Sequence, residues 1–444
     1  MSASSFPLVL PKVQDTALET TKYQNLLRAL RNRRLNAARL DHTPLDITVD
    51  MCTACHLRCP YCATGSGVLD RRAQVLDLEE HRRILDFCGE QLFTIWYFSN
   101  GEPLLNKRLH RIVADAKRYG IFTVISTSLS VPLSDTRIDE ILYSGLDLIS
   151  CSIDGPDAAT YNRYRIGGDF NLVQRNLERL IARKRELGLQ YPLIEWRYLV
   201  FRHNQDLQAE TRRMAHSKGV DILELFQGSA PAQAPEGAVA AMTGALLSPA
   251  ISGPAVEAGL RRRDTLLRRH LPELSINPGE PGPGLLGRKC DWLYFGSMFY
   301  PDGSVGPCCV LGNSDTDFGQ RGPGLDYRAL WNNPKYLDAR ASFPTPPKPS
   351  HSICAHCPAP QVQDWFFRQS LRAYLLNAPE WFIQAVLAEP EQLFYPVDLY
   401  MMPDEFMALK RYQQAKPSVR QAGEPGLDCP LSERDSQPQP SEGE

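Results

Sequence analysis

Three cysteines lie within one short stretch of the chain, with the spacing C-x3-C-x2-C: Cys55, Cys59 and Cys62. Three thiolates on one loop form a site for a soft metal. Structural zinc sites are usually closed by four ligands from two separated pairs, whereas this loop leaves the fourth position open. The pattern therefore predicts a 4Fe–4S cluster held through three of its irons, with the fourth iron free to bind a small molecule. A zinc site or a redox-inert thiolate loop is the alternative.

The composition of the 444-residue chain indicates a soluble globular protein of about two to three domains. Hydrophobic residues make up 43% and charged residues 23%, and the net charge of −2 provides no basic field for nucleic acid. No apolar run is long enough to span a membrane, and the N-terminus has no secretory signal. Twelve cysteines without an export signal predict metal sites in a reducing cytoplasm, not a disulfide framework. We therefore expect a cytoplasmic protein with no nucleic-acid partner and no membrane association.

Strand patterns alternate with helix patterns from residue 45 onward. The six predicted strands are Leu45–Asp50, Thr94–Phe98, Ile121–Ser126, Asp147–Ile153, Ile194–Phe201 and Val220–Phe226. The clearest predicted helices are Thr20–Leu40, Leu78–Phe87, Lys107–Tyr119 and Leu172–Leu187. Alternation of this kind predicts a parallel sheet with helices outside it. The cysteine loop directly follows the first strand, and active sites of such barrels lie at the C-terminal ends of the strands.

The cysteine loop resembles the cluster motif of the radical S-adenosylmethionine enzymes. Tyr61, between the last two cysteines, fits that family's preference for an aromatic residue, and His56 stands where the family usually has Asn. The resemblance implies an α/β fold, a partial (β/α)6 TIM-type barrel. It also implies that the amino and carboxylate groups of S-adenosylmethionine bind the open iron, with Tyr61 on the cofactor side. One electron would break a carbon–sulfur bond, and the resulting 5′-deoxyadenosyl radical would abstract hydrogen from the substrate.

The ends of later strands carry further candidates for binding S-adenosylmethionine. The segment SNGEP, residues 99–103, resembles the family's GGEP motif, which implies that Gly101 and Glu102 receive the amino group of the cofactor. Ser128, in the turn after the third strand, could reach the cofactor carboxylate or the substrate. For the SNGEP segment, an ordinary strand-to-helix turn is the alternative.

The fourth strand ends in LISCSIDG, where alternation places Ser152 and Asp154 on one face and Cys151 on the core face. Ser152 and Asp154 fit recognition of the ribose hydroxyls. Downstream, Arg163 or Arg165 could contact the cofactor carboxylate, as the resemblance implies. An arginine on a helix surface is the alternative for either one.

The fifth strand places Glu195 and Arg197 on one face, which predicts a polar cavity and makes both residues candidates for catalysis or substrate binding. A buried ion pair is the alternative.

Residues 229–257 are rich in Ala, Pro and Gly, which predicts a linker or lid. The arginines of residues 261–270 favour a solvated helix face over a site for an anionic substrate.

A second set of cysteines comprises Cys290, Cys308, Cys354 and Cys357. The first two follow the pattern C-x12-G-x4-C around a predicted hairpin, which would bring both thiols to one metal. Spacing alone leaves zinc open. The segment resembles the SPASM/twitch extension of radical S-adenosylmethionine enzymes in its shorter, one-cluster form. This implies that the four cysteines hold one auxiliary 4Fe–4S cluster for electron transfer. Cys309 could replace Cys308 as ligand, remain a buried thiol, or donate a hydrogen atom in catalysis.

We expect six segments along the chain: an N-terminal helical arm (1–44), the barrel (45–228), a variable linker or lid (229–288), a small twitch/SPASM-like iron–sulfur domain (289–360), a helical cap (361–414) and a disordered tail (415–444). The motifs together predict an oxidoreductase-type enzyme that cleaves S-adenosylmethionine. Dehydrogenation or epimerisation of a small polar molecule such as an amino sugar is favoured, because no leader-binding domain is predicted before the barrel. Modification of a peptide or protein is the alternative, and a zinc-stabilised binding module is the rival outside enzymes. A flavodoxin or ferredoxin is the expected reducing partner.

Overall fold

The structure, a computed structural model, describes residues 15–227, 290–309, 311–322, 326–343, 350–356, 370–371, 374–375 and 377–393. Its centre is formed by six parallel strands: β1 Asp46–Val49, β2 Thr94–Trp96, β3 Phe122–Thr127, β4 Leu148–Ser152, β5 Leu193–Val200 and β6 Ile222–Gln227. The helices before and between them are α1 Thr16–Arg34, α2 Leu78–Cys88, α3 Leu109–Lys117, α4 Asp135–Tyr143, α5 Ala158–Tyr164, α6 Phe170–Glu186 and α7 Gln208–Lys218. This alternation confirms the predicted α/β fold, a partial (β/α)6 barrel.

Side-chain caps fix the starts of several of these helices. The carboxylates of Asp77, Asp157 and Asp169 each accept a hydrogen bond from a backbone N–H in the first turn of α2, α5 and α6. Asp15 caps α1 in the same way, which is why α1 begins four residues before the predicted start. Helix α1 also ends earlier than predicted, and Asn36 just beyond it has a φ of +51°.

The alternation of β4 and β5 separates the hydrophobic core from a polar face. Cys151 and Trp196 are register partners on the core face, and both are fully buried. This agrees with the prediction that Cys151 is a core residue. On the opposite face, Ser152 is the register partner of Arg197. The barrel strands therefore present polar side chains on the face away from that core.

An extension lengthens the barrel sheet beyond β1. A short helix, Trp292–Phe295, leads into β7 (Gly296–Phe299), which pairs in parallel with β1. Strands β8 (Ser304–Gly306) and β9 (Gly319–Gln320) follow in antiparallel pairing, giving one sheet in the order β6-β5-β4-β3-β2-β1-β7-β8-β9. The predicted hairpin is thus confirmed.

The remaining helices lie beyond this sheet. They are Tyr327–Leu330, Pro334–Ala341, Glu380–Ala388 and Pro390–Leu393, with short 3-10 turns at Pro103–Leu105, Gln205–Leu207, Ser314–Thr316 and Ile353–His356. None of the helices in the described residues is long and apolar enough to cross a membrane. The predicted lid, the arginine-rich stretch at 261–270 and the predicted tail lie outside those residues.

The N-terminal ends of β1 and β2 are covered by residues near the C-terminus. Tyr374 donates its hydroxyl to the Asp46 carboxylate, lies 3.2 Å from the Thr94 hydroxyl, and stacks on Phe93 with ring centroids 4.2 Å apart. Tyr23 of α1 donates to the Tyr374 carbonyl at 2.7 Å. Burial raises the pKa of Asp46 to about 6 in spite of these hydroxyl donors. The end of the barrel opposite the cysteine loop is therefore closed by packed side chains.

Candidate active site

The three cysteines of the predicted cluster loop come together directly after β1. Cys59 is buried, and Cys55 and Cys62 are half-buried. Desolvation raises the pKa of Cys55 to about 11, and negative charge on Glu102, Cys62 and Cys59 acts in the same direction. The three thiols are therefore close enough to influence one another's ionisation, as ligands of one metal centre must be.

The donor set consists of three thiols on one loop, and thiolates are soft ligands that suit the iron of a cluster. Within the described ranges, no three His, Cys, Asp or Glu side chains lie close enough to share one metal ion. Ligation of a 4Fe–4S cluster by Cys55, Cys59 and Cys62 stays a prediction.

Gly101 lets the turn after β2 pack against the cysteine loop. A Cβ atom at this position would lie 1.9 Å from the Cys52 carbonyl oxygen and 2.7 Å from that of Ala54. The next residue, Glu102, donates its backbone N–H to the Ala54 carbonyl at 2.9 Å. Only glycine allows this approach, so Gly101 fixes the position of the loop that carries the thiols.

Asn100 explains why this chain departs from the GGEP pattern at that position. Its backbone N–H and side-chain amide donate to the two carboxylate oxygens of Asp50, at 3.0 and 2.8 Å. Asp50 is the last residue before the cysteine stretch, and burial raises its pKa to about 6. The Asn100 amide therefore gives the buried Asp50 carboxylate a hydrogen-bond donor that a glycine at the same position would lack.

The Glu102 carboxylate accepts four hydrogen bonds from neighbouring residues. The donors are Leu104 N at 3.1 Å, Thr127 Oγ1 at 2.6 Å, and both the N and the Oγ of Ser128, at 2.8 and 2.7 Å. These hydrogen bonds hold the β2 and β3 turns together. Contacts of Glu102 and Ser128 with the cofactor stay predictions.

Arg165, and not Arg163, lies at the cysteine loop. Its Nε donates to the buried Asp154 carboxylate at 2.6 Å, and its Nη1 lies 4.0 Å from the Cys59 sulfur. Arg163 is exposed on α5. Burial raises the pKa of the Cys59 thiol, and the Arg165 guanidinium offsets part of that rise. The structure thus distinguishes two arginines that the sequence left equivalent.

Asp154 and Ser152 occupy different surroundings at the end of β4. The second Asp154 oxygen accepts from the Leu199 backbone N–H at 2.7 Å, so both of its oxygens already have partners inside the protein. Ser152 Oγ lies 3.5 Å from Ser126 Oγ. Ribose recognition stays a prediction for both residues, and Asp154 has the smaller remaining capacity to accept from a ligand.

Glu195 and Arg197 form an ion pair on the polar face of β5. Arg197 Nε lies 3.0 Å from Glu195 Oε1, and its Nη2 lies 3.4 Å from a carboxylate oxygen of Glu224 on β6. Ser150 donates to Glu195 at 2.7 Å. The ion pair considered as an alternative is therefore present, and the Arg197 side chain remains 21% exposed. Glu224 was missed, although its alternation with apolar residues in β6 could have placed it on this face.

Tyr61 belongs to an aromatic cluster that covers the cysteine loop. Its ring centroid lies 5.6 Å from that of Tyr164 and 6.0 Å from that of Phe201. Tyr164 and Phe201 pack 4.4 Å apart and are buried together with Cys59. A direct contact between Tyr61 and the cofactor stays a prediction.

The second cysteine set begins to assemble around the β7–β8 hairpin. Desolvation raises the pKa of Cys290 well above its usual range, and negative charge on Cys308 and Cys354 adds to that rise. These three thiols are therefore neighbours. Cys309 is exposed beside them, and Cys357 lies outside the described residues. Their assignment as ligands of an auxiliary cluster, and a catalytic role for Cys309, stay predictions.

Arg71, which the sequence did not single out, joins the cysteine-loop segment to the extension. Its Nε donates to the Gly312 carbonyl at 2.6 Å, and its guanidinium carbon lies 3.2 Å from the Tyr300 ring centroid. It also pairs with the Asp317 carboxylate. The segment after the catalytic cysteine loop is thus bonded to the loop after the β7–β8 hairpin.

Known proteins resemble parts of this chain. Residues 49–195 match the family model described as the Radical SAM superfamily. The chain is 30% identical over 184 residues to the PqqA peptide cyclase of Granulibacter bethesdensis, which covers 41% of this chain and 46% of that protein. It is 31% identical over 150 residues to the PqqA peptide cyclase of Methylorubrum populi, which covers 34% and 38%. The matches thus span less than half the length of these curated relatives.

Two solved structures match this chain at lower sequence identity. Streptococcus suis SuiB bound to S-adenosylmethionine has 15% sequence identity and a TM-score of 0.47, over 67% of this chain and 68% of that one. Native anSMEcpe with bound AdoMet has 15% identity and a TM-score of 0.48, over 79% and 100%.

A partial barrel that carries a C-x3-C-x2-C loop at its strand ends defines a class of enzymes built around an iron–sulfur cluster. Residues 49–195 match the radical S-adenosylmethionine domain that the cysteine loop predicted. The family uses a 4Fe–4S cluster together with S-adenosylmethionine. The cysteines gathered at the β7–β8 hairpin agree with the predicted SPASM/twitch subgroup.

Proposed function

We propose that this radical S-adenosylmethionine enzyme modifies a peptide. The observation that supports this proposal is the match to a PqqA peptide cyclase over 184 residues, at 30% identity. It favours the alternative substrate class named from the sequence over the amino sugar or other small polar molecule that the sequence analysis preferred. Oxidoreductase chemistry on that peptide belongs to the same proposal.

The chain supplies the groups that would hold the cofactors. Cys55, Cys59 and Cys62 would bind three irons of the catalytic cluster, and the turn at Gly101 holds their loop against β2. When bound, the cluster and S-adenosylmethionine supply a 5′-deoxyadenosyl radical that takes a hydrogen atom from the substrate. Arg165 places a fixed positive charge beside Cys59, which stabilises the thiolate form that a metal requires.

The polar face of β5 offers a charged surface for a peptide backbone or side chain. Arg197 is held by Glu195 and Glu224 and is still partly exposed. A guanidinium held in place by carboxylates presents a positive charge in a defined direction. Arg197 is therefore our candidate for orienting the substrate, with Glu195 as its positioning residue.

The second cysteine set completes the proposed site. Cys290, Cys308, Cys354 and Cys357 would hold an auxiliary 4Fe–4S cluster. Four thiolate ligands leave no iron open to substrate, so we assign this set to electron transfer. Arg71 joins this region to the segment after the catalytic loop, which keeps the two cysteine sets in a fixed relation.

The substrate class is tested by comparing substrates under one set of conditions. The anaerobically reconstituted protein is incubated with S-adenosylmethionine and dithionite, and with synthetic peptides that correspond to short reading frames beside its gene or with a panel of amino sugars and alcohols. A peptide should increase 5′-deoxyadenosine formation and change in mass, and deuterium from a labelled peptide should appear in 5′-deoxyadenosine. Stimulation and product formation by the amino sugars or alcohols alone would contradict the proposal.

Two cysteine variants separate a specific effect from general damage. Cys59→Ala should lose the reaction, because it removes a proposed cluster ligand. Cys151→Ala should retain it, because Cys151 is a buried core residue on the opposite face of β4 from Ser152. If both variants kept the reaction, the cysteine loop would not be the source of the chemistry.

A further inference from the structure

The segment that carries Cys290 is held by residues of the N-terminal arm. The His42 ring nitrogen Nε2 lies 2.7 Å from the Tyr294 carbonyl oxygen. The His42 carbonyl in turn accepts from Trp331 Nε1, at 2.9 Å, in the helical part of the extension. The start of the extension is therefore packed against the arm as well as against β1.

A buried ion pair joins the arm to the residue directly after Cys290. Arg33, in the last turn of α1, has its Nε 2.5 Å and its Nη2 3.4 Å from the two carboxylate oxygens of Asp291. The two side chains are only 6% and 2% exposed. The Arg33 guanidinium carbon also lies 5.7 Å from the Phe295 ring centroid. Two opposite charges thus lie in the interior beside a proposed cluster ligand.

Stability gives little reason to bury these two charges. Desolvation of a buried ion pair can exceed the attraction between its members, and a hydrophobic pair of similar volume is often at least as stable. Beside an iron–sulfur cluster, in contrast, the local charge and the hydrogen bonds to sulfur tune the reduction potential. A charged pair at this position can therefore do what a hydrophobic pair could not.

Asp291 acts on the Cys290 thiol. Its negative charge adds to the raised pKa of that thiol, after the larger effects of burial and of Cys308 and Cys354. Reduction of a cluster, like ionisation of a thiol, adds negative charge at the site. The Asp291 carboxylate therefore disfavours the reduced cluster, and the Arg33 guanidinium offsets that effect.

Other positive charges accompany this segment. The buried Arg340 donates through Nε and Nη2 to the Leu293 and Trp331 carbonyls, at 2.8 and 2.9 Å. Arg288 and Lys289 precede Cys290 in the sequence and lie outside the described residues. All three cations are retained in every variant below, so they do not contribute to the differences between variants.

We propose that the Arg33–Asp291 pair sets the reduction potential of the auxiliary cluster, with Arg33 as a positioning residue that acts through Asp291. This inference rests on the proposed function, because it assumes that the cysteines at the β7–β8 hairpin hold that cluster. The step concerned is reduction of the cluster by one electron from a reductant such as dithionite, and no covalent bond forms or breaks. The N-terminal arm then belongs to the auxiliary site.

The test isolates the auxiliary cluster and changes one charge at a time. Cys55, Cys59 and Cys62 are replaced with alanine in the full chain, so that any cluster formed on anaerobic reconstitution is the auxiliary one. In this background, Asp291→Asn, Arg33→Met, both together, and Arg33→Lys are compared. The measurements are iron and sulfide per chain and a redox titration followed by electron paramagnetic resonance.

The two single variants should shift the potential in opposite directions. Asp291→Asn should raise it and Arg33→Met should lower it, each by about tenfold in the equilibrium constant for one-electron reduction, or about 59 mV. The double variant should lie between them, and Arg33→Lys should stay near the unaltered value. A pair with a structural role alone would shift both single variants to the same side or leave the potential unchanged, and either result would overturn the inference.

Arg33→Met leaves a buried carboxylate without its partner and can prevent folding. In that case the comparison of Asp291→Asn with the double variant decides, because the double variant lacks both buried charges. Its potential should lie below that of Asp291→Asn, and equal potentials would overturn the inference.

A buried carboxylate in another part of the sheet provides the control. Asp147 lies 2.6 Å from Lys117 Nζ, and its side chain is 4% exposed. It directly precedes β4, which is separated from β7 by β3, β2 and β1. Asp147→Asn should leave the potential of the auxiliary cluster unchanged. A shift as large as that of Asp291→Asn would mean that loss of any buried charge perturbs the cluster, and would overturn the inference.

The iron content separates the two proposals. If the background without Cys55, Cys59 and Cys62 binds no iron, the proposed auxiliary cluster fails and the inference fails with it. If that background binds about four irons per chain and the charge variants leave the potential unchanged, only the inference fails.

Discussion

Replacing Gly101 with alanine tests how the fold holds its cysteine loop. The added Cβ would lie 1.9 Å from the Cys52 carbonyl oxygen and 2.7 Å from that of Ala54. Both obstacles are backbone atoms, so no side-chain rotation relieves the overlap. The turn must move away from the loop, and the 2.9 Å hydrogen bond from Glu102 N to Ala54 O is then lost.

The expected cost of Gly101→Ala follows from those two effects. Overpacking in a buried site costs about 1–3 kcal/mol, and one lost hydrogen bond costs about 1 kcal/mol. The free energy of unfolding should therefore fall by about 2–4 kcal/mol. Because the displaced segment carries the thiols, iron bound per chain after reconstitution should fall as well, even in the folded fraction.

A second glycine provides the control for this measurement. An alanine Cβ at Gly322 would meet no atom of the described residues within 4 Å. Gly322→Ala should therefore change the free energy of unfolding by less than about 0.5 kcal/mol and leave the iron content unchanged. Both variants are measured by urea unfolding and by iron and sulfide analysis. If Gly101→Ala matched Gly322→Ala in stability and in iron content, the close approach of turn and loop would be refuted.

Three further predictions concern charge and ligation. Arg165→Met should lower the free energy of unfolding by about 3–5 kcal/mol, because it leaves the buried Asp154 carboxylate without its guanidinium partner. Adding Asp154→Asn should recover much of that loss in a double-mutant cycle measured by urea unfolding, and additive effects of the two substitutions would contradict the prediction. Burial raises the pKa of Asp46 to about 6, so the folded state binds its proton more tightly than the unfolded state does. The free energy of unfolding should then decrease as pH rises from about 4 to 6, and Asp46→Asn should remove up to about 1.4 kcal/mol per pH unit from that slope, whereas an unchanged slope would exclude the assignment. Replacing Cys354 and Cys357 with alanine should leave some cleavage of S-adenosylmethionine and lose product, and a folded variant without any cleavage would refute the division between the two cysteine sets.

The features that were predicted correctly from the sequence are those that depend on residues close together in the chain. The cysteine loop follows β1 directly, so its place at the strand ends needed only the βα alternation. The β7–β8 hairpin needed only its turn, where Gly303 adopts a φ of +83°. Bounds were not predicted for helices α4, α5 and α7; α5 has only seven residues, and α7 buries only two, so neither of these two carries a long apolar stripe.

The contacts that define the site depend on residues far apart in the chain, which spacing does not show. The sequence could not distinguish Arg165 from Arg163, whereas the structure does, because Arg165 donates to the Asp154 carboxylate. Arg71 was missed because its partners in the extension are more than two hundred residues away. The structural role of Glu102 was missed because three of its four donors belong to the neighbouring β3 turn. Local motifs thus indicated which chemistry to expect, and the tertiary structure decided which side chains face the cysteine loop.

The central claim is that the loop with Cys55, Cys59 and Cys62 holds a cluster that cleaves S-adenosylmethionine. The most direct measurement is 5′-deoxyadenosine formed per chain by anaerobically reconstituted protein with dithionite, compared with the variant in which all three cysteines are alanine. We predict that the unaltered protein forms 5′-deoxyadenosine and that the triple variant forms none while remaining folded. Equal amounts from both proteins, or none from an iron-loaded unaltered protein, would contradict the claim.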